Sequence, residues 1–200
     1  MTDVARPARR SRRPDGADTR RRMLEAGTKL ASDLPFAHVT VQHVTDLAGT
    51  GRATFYLYFD NIDAFFIELG RESCEALVEA ADQAWTVEDP HASFEAFVRG
   101  YVGTFRRHDG VLGVCYSKRF QSPGFSELLV GTRGRIIDGF ARTIQAGGGR
   151  FASVDARLVA DALVCMVEAL SVHELDDGRK GSLDHVVSTV SAIWSGPTAG

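Results

Sequence analysis

The sequence has few cysteines, and no two of them lie close together. Cys74, Cys115 and Cys165 are odd in number and widely spaced, and no Cys-x-x-Cys motif occurs. This pattern argues against a disulfide framework and against a zinc site. Free cysteine packs as a small hydrophobe, so we expect three buried thiols.

Long apolar runs are also missing. The best candidate, residues 158–172, is interrupted by Asp161 and Glu168 and is shorter than the roughly 20 residues that a membrane helix needs. The basic N-terminus has no apolar stretch behind it and is therefore no secretory signal. We expect a cytoplasmic protein without membrane contact.

Motifs for catalysis, cofactor binding and metal binding are absent. The triple glycine at 147–149 lacks the Lys-Ser/Thr of a phosphate loop and is interpreted as a helix end. No nucleophile elbow occurs. We therefore expect a protein that is not an enzyme and that has no cofactor or metal. A metal enzyme remains the alternative, because one cluster of possible ligands lies near a helix junction. Its members do not have the spacing of a zinc hydrolase: His173, Glu174, Asp176, Asp177 and His185.

Charge is distributed unevenly along the 200 residues. Residues 1–22 contain eight arginines and three aspartates, a net +5, whereas the whole chain carries −3. Residues 1–17 are nearly free of apolar side chains and predict a disordered basic arm. This arm is either a solubilising tail or a segment that contacts DNA.

Apolar residues recur with helical spacing throughout, and period-two alternation is absent. The sequence predicts an all-α protein, with a first helix capped by Asp18 or Thr19. The further helices are expected at 41–48, 52–59, 61–85, from 90, 111–120, from 123, 155–175 and 183–194.

The second and third helices form a helix-turn-helix pattern, because a three-residue turn containing two glycines joins them behind a longer helix. Thr40 is a good N-cap for the second helix. Four side chains project from the third helix and can donate hydrogen bonds to phosphates or base edges: Arg52, Thr54, Tyr56 and Tyr58.

Residues 19–66 resemble the DNA-binding domain of the TetR family. The resemblance is carried by Thr40, by Ala48-Gly49, and by the run Thr54-Phe55-Tyr56-Leu57-Tyr58-Phe59. It covers about a quarter of the chain. The Phe-Tyr-Leu-Tyr-Phe run, an Asp-Leu-Pro at 33–35 and an Ile-Trp at 193–194 look most like the ethionamide-resistance-repressor branch.

The resemblance implies a three-helix DNA-binding domain at 18–66 and a helical ligand-binding and dimerisation bundle at 67–200. It implies phosphate contacts from Thr40, Thr54 and Tyr58, and base or phosphate contacts from Arg52 and Tyr56. Gln42 is a further plausible contact. Two positions depart from the family: Gly51 replaces a capping serine, and Ile62 replaces a phosphate-binding lysine.

The resemblance also implies a homodimer and a small effector. The helix at 155–175 is apolar on most of its circumference, which favours a second subunit over deeper burial in the monomer. A largely apolar or aromatic effector is expected in a cavity, although most aromatic side chains belong to the core by base rate. The candidate ligand contacts are Trp85, Phe97, Tyr101, Phe105, Tyr116, Phe120, Phe140, Met166 and Glu168.

The function predicted is a transcriptional repressor that leaves a palindromic operator when its effector binds. The alternative is a small-molecule binding module of the same fold with weak or no operator specificity, which Gly51 and Ile62 support.

Overall fold

The computed structural model describes residues 16–34, 38–85, 90–147, 155–177 and 181–195, and this part of the chain contains helices and no strand. The predicted all-α class is confirmed. Most of the predicted basic arm, residues 1–15, lies outside the described residues. The helices are α1 (Gly16–Asp33), α2 (Val41–Ala48), α3 (Arg52–Phe55), α4 (Ile62–Ala84), α5 (Pro90–Arg107), α6 (Asp109–Lys118), α7 (Pro123–Gly147), α8 (Ala156–Asp177) and α9 (Leu183–Ser195).

The start of α1 differs from the sequence prediction. The helix begins at Gly16, so neither Asp18 nor Thr19 caps it. Thr19 is buried, and Asp18 forms an ion pair with Arg21 at 2.5 Å. The Arg21 hydrogen bond holds the pKa of the Asp18 carboxyl below its usual value. A basic neighbour three residues later thus stabilises this turn, as expected for such a pair on a helix.

The first four helices share an aromatic core, and we call this part the head. Phe55 and Phe59 pack against Phe65 of α4, with ring centroids 5.5 and 4.9 Å apart. Met23 of α1 is fully buried in the same cluster. Because α4 runs on without a break, the predicted domain boundary at residue 66 falls inside one continuous helix.

The remaining helices form the body. Helix α4 packs against α5 and α7, α8 packs against α7, and α9 packs against α5. Apolar side chains of α5 with helical spacing are buried, including Phe94, Phe97 and Phe105. No helix among the described residues is long and apolar enough to cross a membrane.

Head and body also touch at the start of α6. A Cβ atom on Gly110 would lie 2.7 Å from the carbonyl carbon and oxygen of Ala31, at the end of α1. Such a distance is closer than any side chain permits, so only glycine lets the two helix backbones approach in this way.

Candidate DNA-binding surface and effector site

Both ends of α2 are capped as its sequence predicts. The Thr40 hydroxyl accepts a hydrogen bond from the backbone N–H of His43 at 3.3 Å. Gly49 follows the helix with φ +63°, a left-handed conformation that favours glycine. The N–H of Thr50 then donates to the carbonyl of Thr45 at 2.9 Å. These bonds fix the direction in which the chain leaves α2.

Residues 52–59, which we call the recognition segment, are helical over a shorter stretch than predicted, because α3 ends at Phe55 and the chain continues as a turn. The N–H of Tyr56 donates to the carbonyl of Arg52 at 3.2 Å, and that of Phe59 donates to Phe55 at 3.1 Å. Phe55 and Phe59 are buried. The exposed side chains of the segment form a surface that we call the outer face: Arg52, Ala53, Tyr56 and Leu57.

Two of the six predicted DNA contacts, Arg52 and Tyr56, lie on the outer face. Thr54 and Tyr58 are half-buried beside it, and Tyr58 packs against the core of the head.

The other two predicted contacts lie at the start of α2. Thr40 and Gln42 are both exposed there. The Gln42 side-chain amide donates to the carboxylate of Asp46 at 2.6 Å, so it is engaged within the helix.

Sequence reasoning missed Ala53 and Leu57. Leu57 is 80% exposed, the most open large apolar side chain of the head. Helical periodicity predicts this exposure, because positions 53 and 57 lie on the side of a helix opposite Phe55 and Phe59.

Some arginines of the basic N-terminus are held inside the head. Arg20 forms an ion pair with Glu68 of α4 at 2.7 Å, and its guanidinium lies 5.7 Å from the Phe59 ring centre. Arg22 donates to the carbonyl of Ala48, at the end of α2, at 2.8 Å. These two side chains therefore join α1 to its neighbouring helices.

Most of the predicted ligand contacts stack on one another in the body. The Trp85 ring lies parallel to that of Phe140, with centroids 4.3 Å apart, and 4.9 Å from that of Phe97. The stack continues from Tyr101 to Phe105 at 6.1 Å and on to Tyr116 at 5.6 Å. We call this set the aromatic row: Phe94, Trp85, Phe97, Phe140, Tyr101, Phe105 and Tyr116.

The aromatic row ends in a polar cluster. The Tyr116 hydroxyl donates to the Glu168 carboxylate at 2.7 Å, and Arg133 lies 3.3 Å from the other oxygen of that carboxylate. Arg133 also pairs with Asp161 at 2.5 Å. Burial raises the pKa of Tyr116 and of Tyr101 above their usual values, so both hydroxyls stay neutral donors.

A groove of about 460 Å³ opens beside this cluster, between the end of α6, α7 and α8. Tyr116, Phe120 and Glu168 from the predicted ligand set line it, whereas Met166 packs against the core. Phe120 is 86% exposed, so this candidate ligand contact lies outside the core, unlike most of the aromatic side chains. The guanidinium of Arg119 lies 4.4 Å from its ring centre.

The three cysteines do not share one environment. Cys74 and Cys115 are buried as predicted, and burial raises the pKa of the Cys115 thiol to about 12. The prediction is wrong for Cys165, which is exposed on α8. It belongs to an exposed stripe of small and apolar side chains, the α8 stripe, formed by Leu158, Ala162, Cys165 and Ala169.

Two members of the cluster that leaves a metal enzyme as an alternative, Asp176 and Asp177, have side chains outside the described residues. In the part of the chain that the structure describes, no three histidine, cysteine or acidic side chains are grouped so as to hold a metal ion. The Glu174 carboxylate accepts two hydrogen bonds from Arg106, at 2.6 and 2.9 Å. This side chain is thus committed to an ion pair.

Known proteins resemble this chain in sequence and in fold. The family model for bacterial regulatory proteins of the tetR family matches residues 23–69. The HTH-type transcriptional regulator EthR of Mycobacterium tuberculosis is 34% identical over 198 residues, with 93% of this chain and 89% of that protein covered. The regulator of the same name from Mycolicibacterium smegmatis is 29% identical over 196 residues, with 93% and 88% covered.

Solved structures agree in fold. PfmR, a TetR family regulator from Thermus thermophilus, superimposes with a TM-score of 0.73 at 21% identity, covering 88% of this chain and 98% of its own. A TetR-like regulator from a Rhodococcus species gives 0.71 at 22% identity, covering 94% and 100%. The chain therefore belongs to the TetR family of helix-turn-helix transcriptional regulators, in the branch of the regulators named EthR.

Proposed function

We propose that this regulator represses transcription by placing the outer face of its recognition segment in the major groove of a palindromic operator. One observation carries the proposal: Arg52 and Tyr56 are exposed on a short segment that Phe55 and Phe59 fix in the core. A recognition helix has to present side chains rigidly to base edges, and a buried aromatic pair supplies that rigidity.

The predicted contacts then divide by position. Arg52 and Tyr56 are placed to reach bases or phosphates from the outer face. Thr54 and Tyr58 flank that face, and Thr40 stands at the start of α2, where hydroxyl groups suit phosphate oxygens. Gln42 contacts DNA only if its amide leaves Asp46.

The operator is expected to be palindromic because the α8 stripe suits a second copy of the chain. Its exposed residues are spaced by three and four, the periodicity of a helix that packs against another helix. Leu158 is 65% exposed, and Ile193 of α9 is 63% exposed. Burying these side chains between two subunits stabilises a dimer, which would read two half-sites about one helical turn apart.

Two single variants, each with one exposed alanine replaced by arginine, test this dimer. Ala162→Arg places a charge in the α8 stripe, whereas Ala96→Arg places the same charge on the exposed side of α5. Sedimentation analysis should give a monomer for the first variant and a dimer for the second. If both remain dimeric, the subunits associate through another surface.

The effector is proposed to be a small, largely apolar or aromatic molecule that binds in the groove beside Tyr116. Side chains already occupy the space along the aromatic row, whereas the groove is apolar at Leu129 and Val130. Cys165 and Ala169 of the α8 stripe also line the groove, so a second subunit on that stripe would lie at its edge. Glu168 supplies the orienting polar group that such sites usually contain. Binding there shifts the operator affinity only if the effector prefers one arrangement of head and body.

Thermal-shift screening of small aromatic and alkyl compounds tests the effector site. A compound that raises the melting temperature should also release operator DNA. Phe120→Ala and Glu168→Gln should abolish both responses, because they remove the exposed ring and the charge. If the responses survive in both variants, the effector binds elsewhere.

Operator binding is tested by fluorescence anisotropy on DNA from upstream of the chain's own gene, against scrambled duplex, at several salt concentrations. A preference of at least about a hundredfold is expected, since specific DNA-binding proteins typically exceed about a thousandfold.

A second function, a binding module of this fold with little operator specificity, is favoured by two observations. Gly51 gives α3 no side-chain cap. Ile62, at the start of α4, packs against the core and offers no charge to a phosphate. Equal weak binding to every duplex tested, combined with an intact effector response, would support this function over repression.

A further inference from the structure

We propose that Leu57 and Ala53 read the methyl groups of thymine, so that the operator requires thymine where the outer face meets the bases. This inference rests on the proposed function, because it assumes that the outer face enters the major groove. It adds a sequence requirement that Arg52 and Tyr56 do not carry.

Leu57 is the most exposed side chain of the recognition segment for which a large apolar surface is available. Phe55 and Phe59, two residues before and two residues after it, are both buried in the core. Leu57 itself is 80% exposed, against 50% for Tyr56. Ala53, one turn earlier, lies on the same side and is also exposed. The first atoms to meet the groove floor are therefore apolar.

The chemistry of the groove then selects the base. A leucine side chain neither donates nor accepts a hydrogen bond, so it gains nothing from the polar edges of guanine, cytosine or adenine. Thymine alone presents a methyl group in the major groove, and apolar side chains contact it. Burying one such group improves affinity about fourfold on the usual scale of methylene burial.

Two other exposed leucines make a useful contrast. Leu158 lies on the α8 stripe, which is proposed to face a second subunit. Leu47 is 47% exposed on α2, off the outer face. Leu57 differs from both because it lies on the outer face, with Arg52 and Tyr56, and is the most exposed of the three.

The test replaces thymine by uracil, which removes the methyl group and leaves every hydrogen-bonding atom in place. A duplex is selected with the full-length protein from a random 20-base-pair pool, and each thymine is then changed to deoxyuridine in turn. Anisotropy titrations should show a loss of about fourfold at one position of a half-site, or about 15-fold when both half-sites are changed.

The variant Leu57→Ala should bind the thymine and uracil duplexes equally at that position, because the side chain that senses the methyl group is gone. Its melting temperature should not change, since the side chain is exposed. Leu47→Ala is the matched control, and it should retain the thymine preference.

Three results would overturn the inference. Uracil has no effect in the wild type at any position, or the uracil loss persists in Leu57→Ala, or Leu47→Ala removes it as well. If the proposed function is wrong, no duplex is enriched from the pool at all, and the thymine requirement is then wrong as well.

Discussion

The recognition segment and the aromatic row use the same kinds of side chain in opposite ways. In the recognition segment five consecutive large residues, 55–59, divide between the core and the solvent. In the aromatic row the rings come from α5, α6 and α7 and from Trp85, which follows α4, and they pack against one another. The recognition segment therefore exposes side chains on a rigid support, whereas the rings of the aromatic row fill the interior of the body.

This difference between the two regions shows what determines the position of a DNA-binding surface and of an effector site. A surface that reads DNA is set by local geometry, since burial of Phe55 and Phe59 determines which neighbours face outward. An effector site in the body is set by which rings happen to meet across helices, since only those left unpacked can contact a ligand. Four substitutions sharpen this comparison.

The largest effect is expected in the aromatic row. Phe140→Ala removes a fully buried ring stacked on Trp85, and it should lower the free energy of unfolding by about 3–5 kcal/mol. Urea denaturation followed by circular dichroism measures this loss. Phe120→Ala, which truncates an exposed ring of the same size, is the control and should change stability by less than about 0.5 kcal/mol. Equal losses of unfolding free energy in the two variants would show that the two rings lie in similar environments.

On the recognition segment, the expected loss is in binding rather than stability. Arg52→Ala should weaken operator binding by about 1–3 kcal/mol, as measured by anisotropy, and leave the melting temperature unchanged. Arg22→Ala removes a hydrogen bond that joins α1 to the end of α2, so it should lower the melting temperature as well. If Arg52→Ala unfolds the head, then Arg52 supports the structure and does not read DNA.

The connection between α2 and α3 should tolerate little change. Gly49→Ala forces a residue with a Cβ into φ +63°, at a cost of about 1–2 kcal/mol in unfolding free energy. Gly49→Asn should be milder, because asparagine adopts the left-handed conformation more readily. Chemical denaturation of the two variants compares them directly, and equal losses would mean that the backbone angle is not the cause.

The smallest effect is expected at Gly51. A Cβ atom there would meet nothing within 4 Å, and the residue holds the N-cap position of α3 without a side-chain hydrogen bond. Gly51→Ser should therefore raise stability by only a few tenths of a kcal/mol. A thermal melt gives the sign, and a clear loss would contradict the cap position described above.

The sequence predicted the bounds of α2 well, and the reason is physical. They follow from Thr40 at one end and Gly49 at the other, which are local signals. The four-residue spacing of Phe55 and Phe59 predicts the buried side of the recognition segment. The start of α1 and the end of α3 differ from the prediction, because no equally strong local signal marks them.

The helices of the body were predicted, but the sequence did not separate packed side chains from exposed ones among the candidate ligand contacts. Residue type does not distinguish Phe120, which is exposed, from Phe140, which is buried, or Cys165 from Cys115. Their environments depend on contacts between helices tens of residues apart. The bond between Tyr116 and Glu168 spans 52 positions, and no local pattern announces such a pair.

The measurement that tests the central claim most directly compares wild type with Arg52→Ala in their preference for selected operator over scrambled duplex. Anisotropy titrations of both proteins on both duplexes give the two ratios. We predict a ratio of at least about 100 for the wild type and a ratio at least about fivefold lower for the variant. A wild-type ratio near one, or an equal ratio in the two proteins, would contradict the claim that the outer face reads the operator.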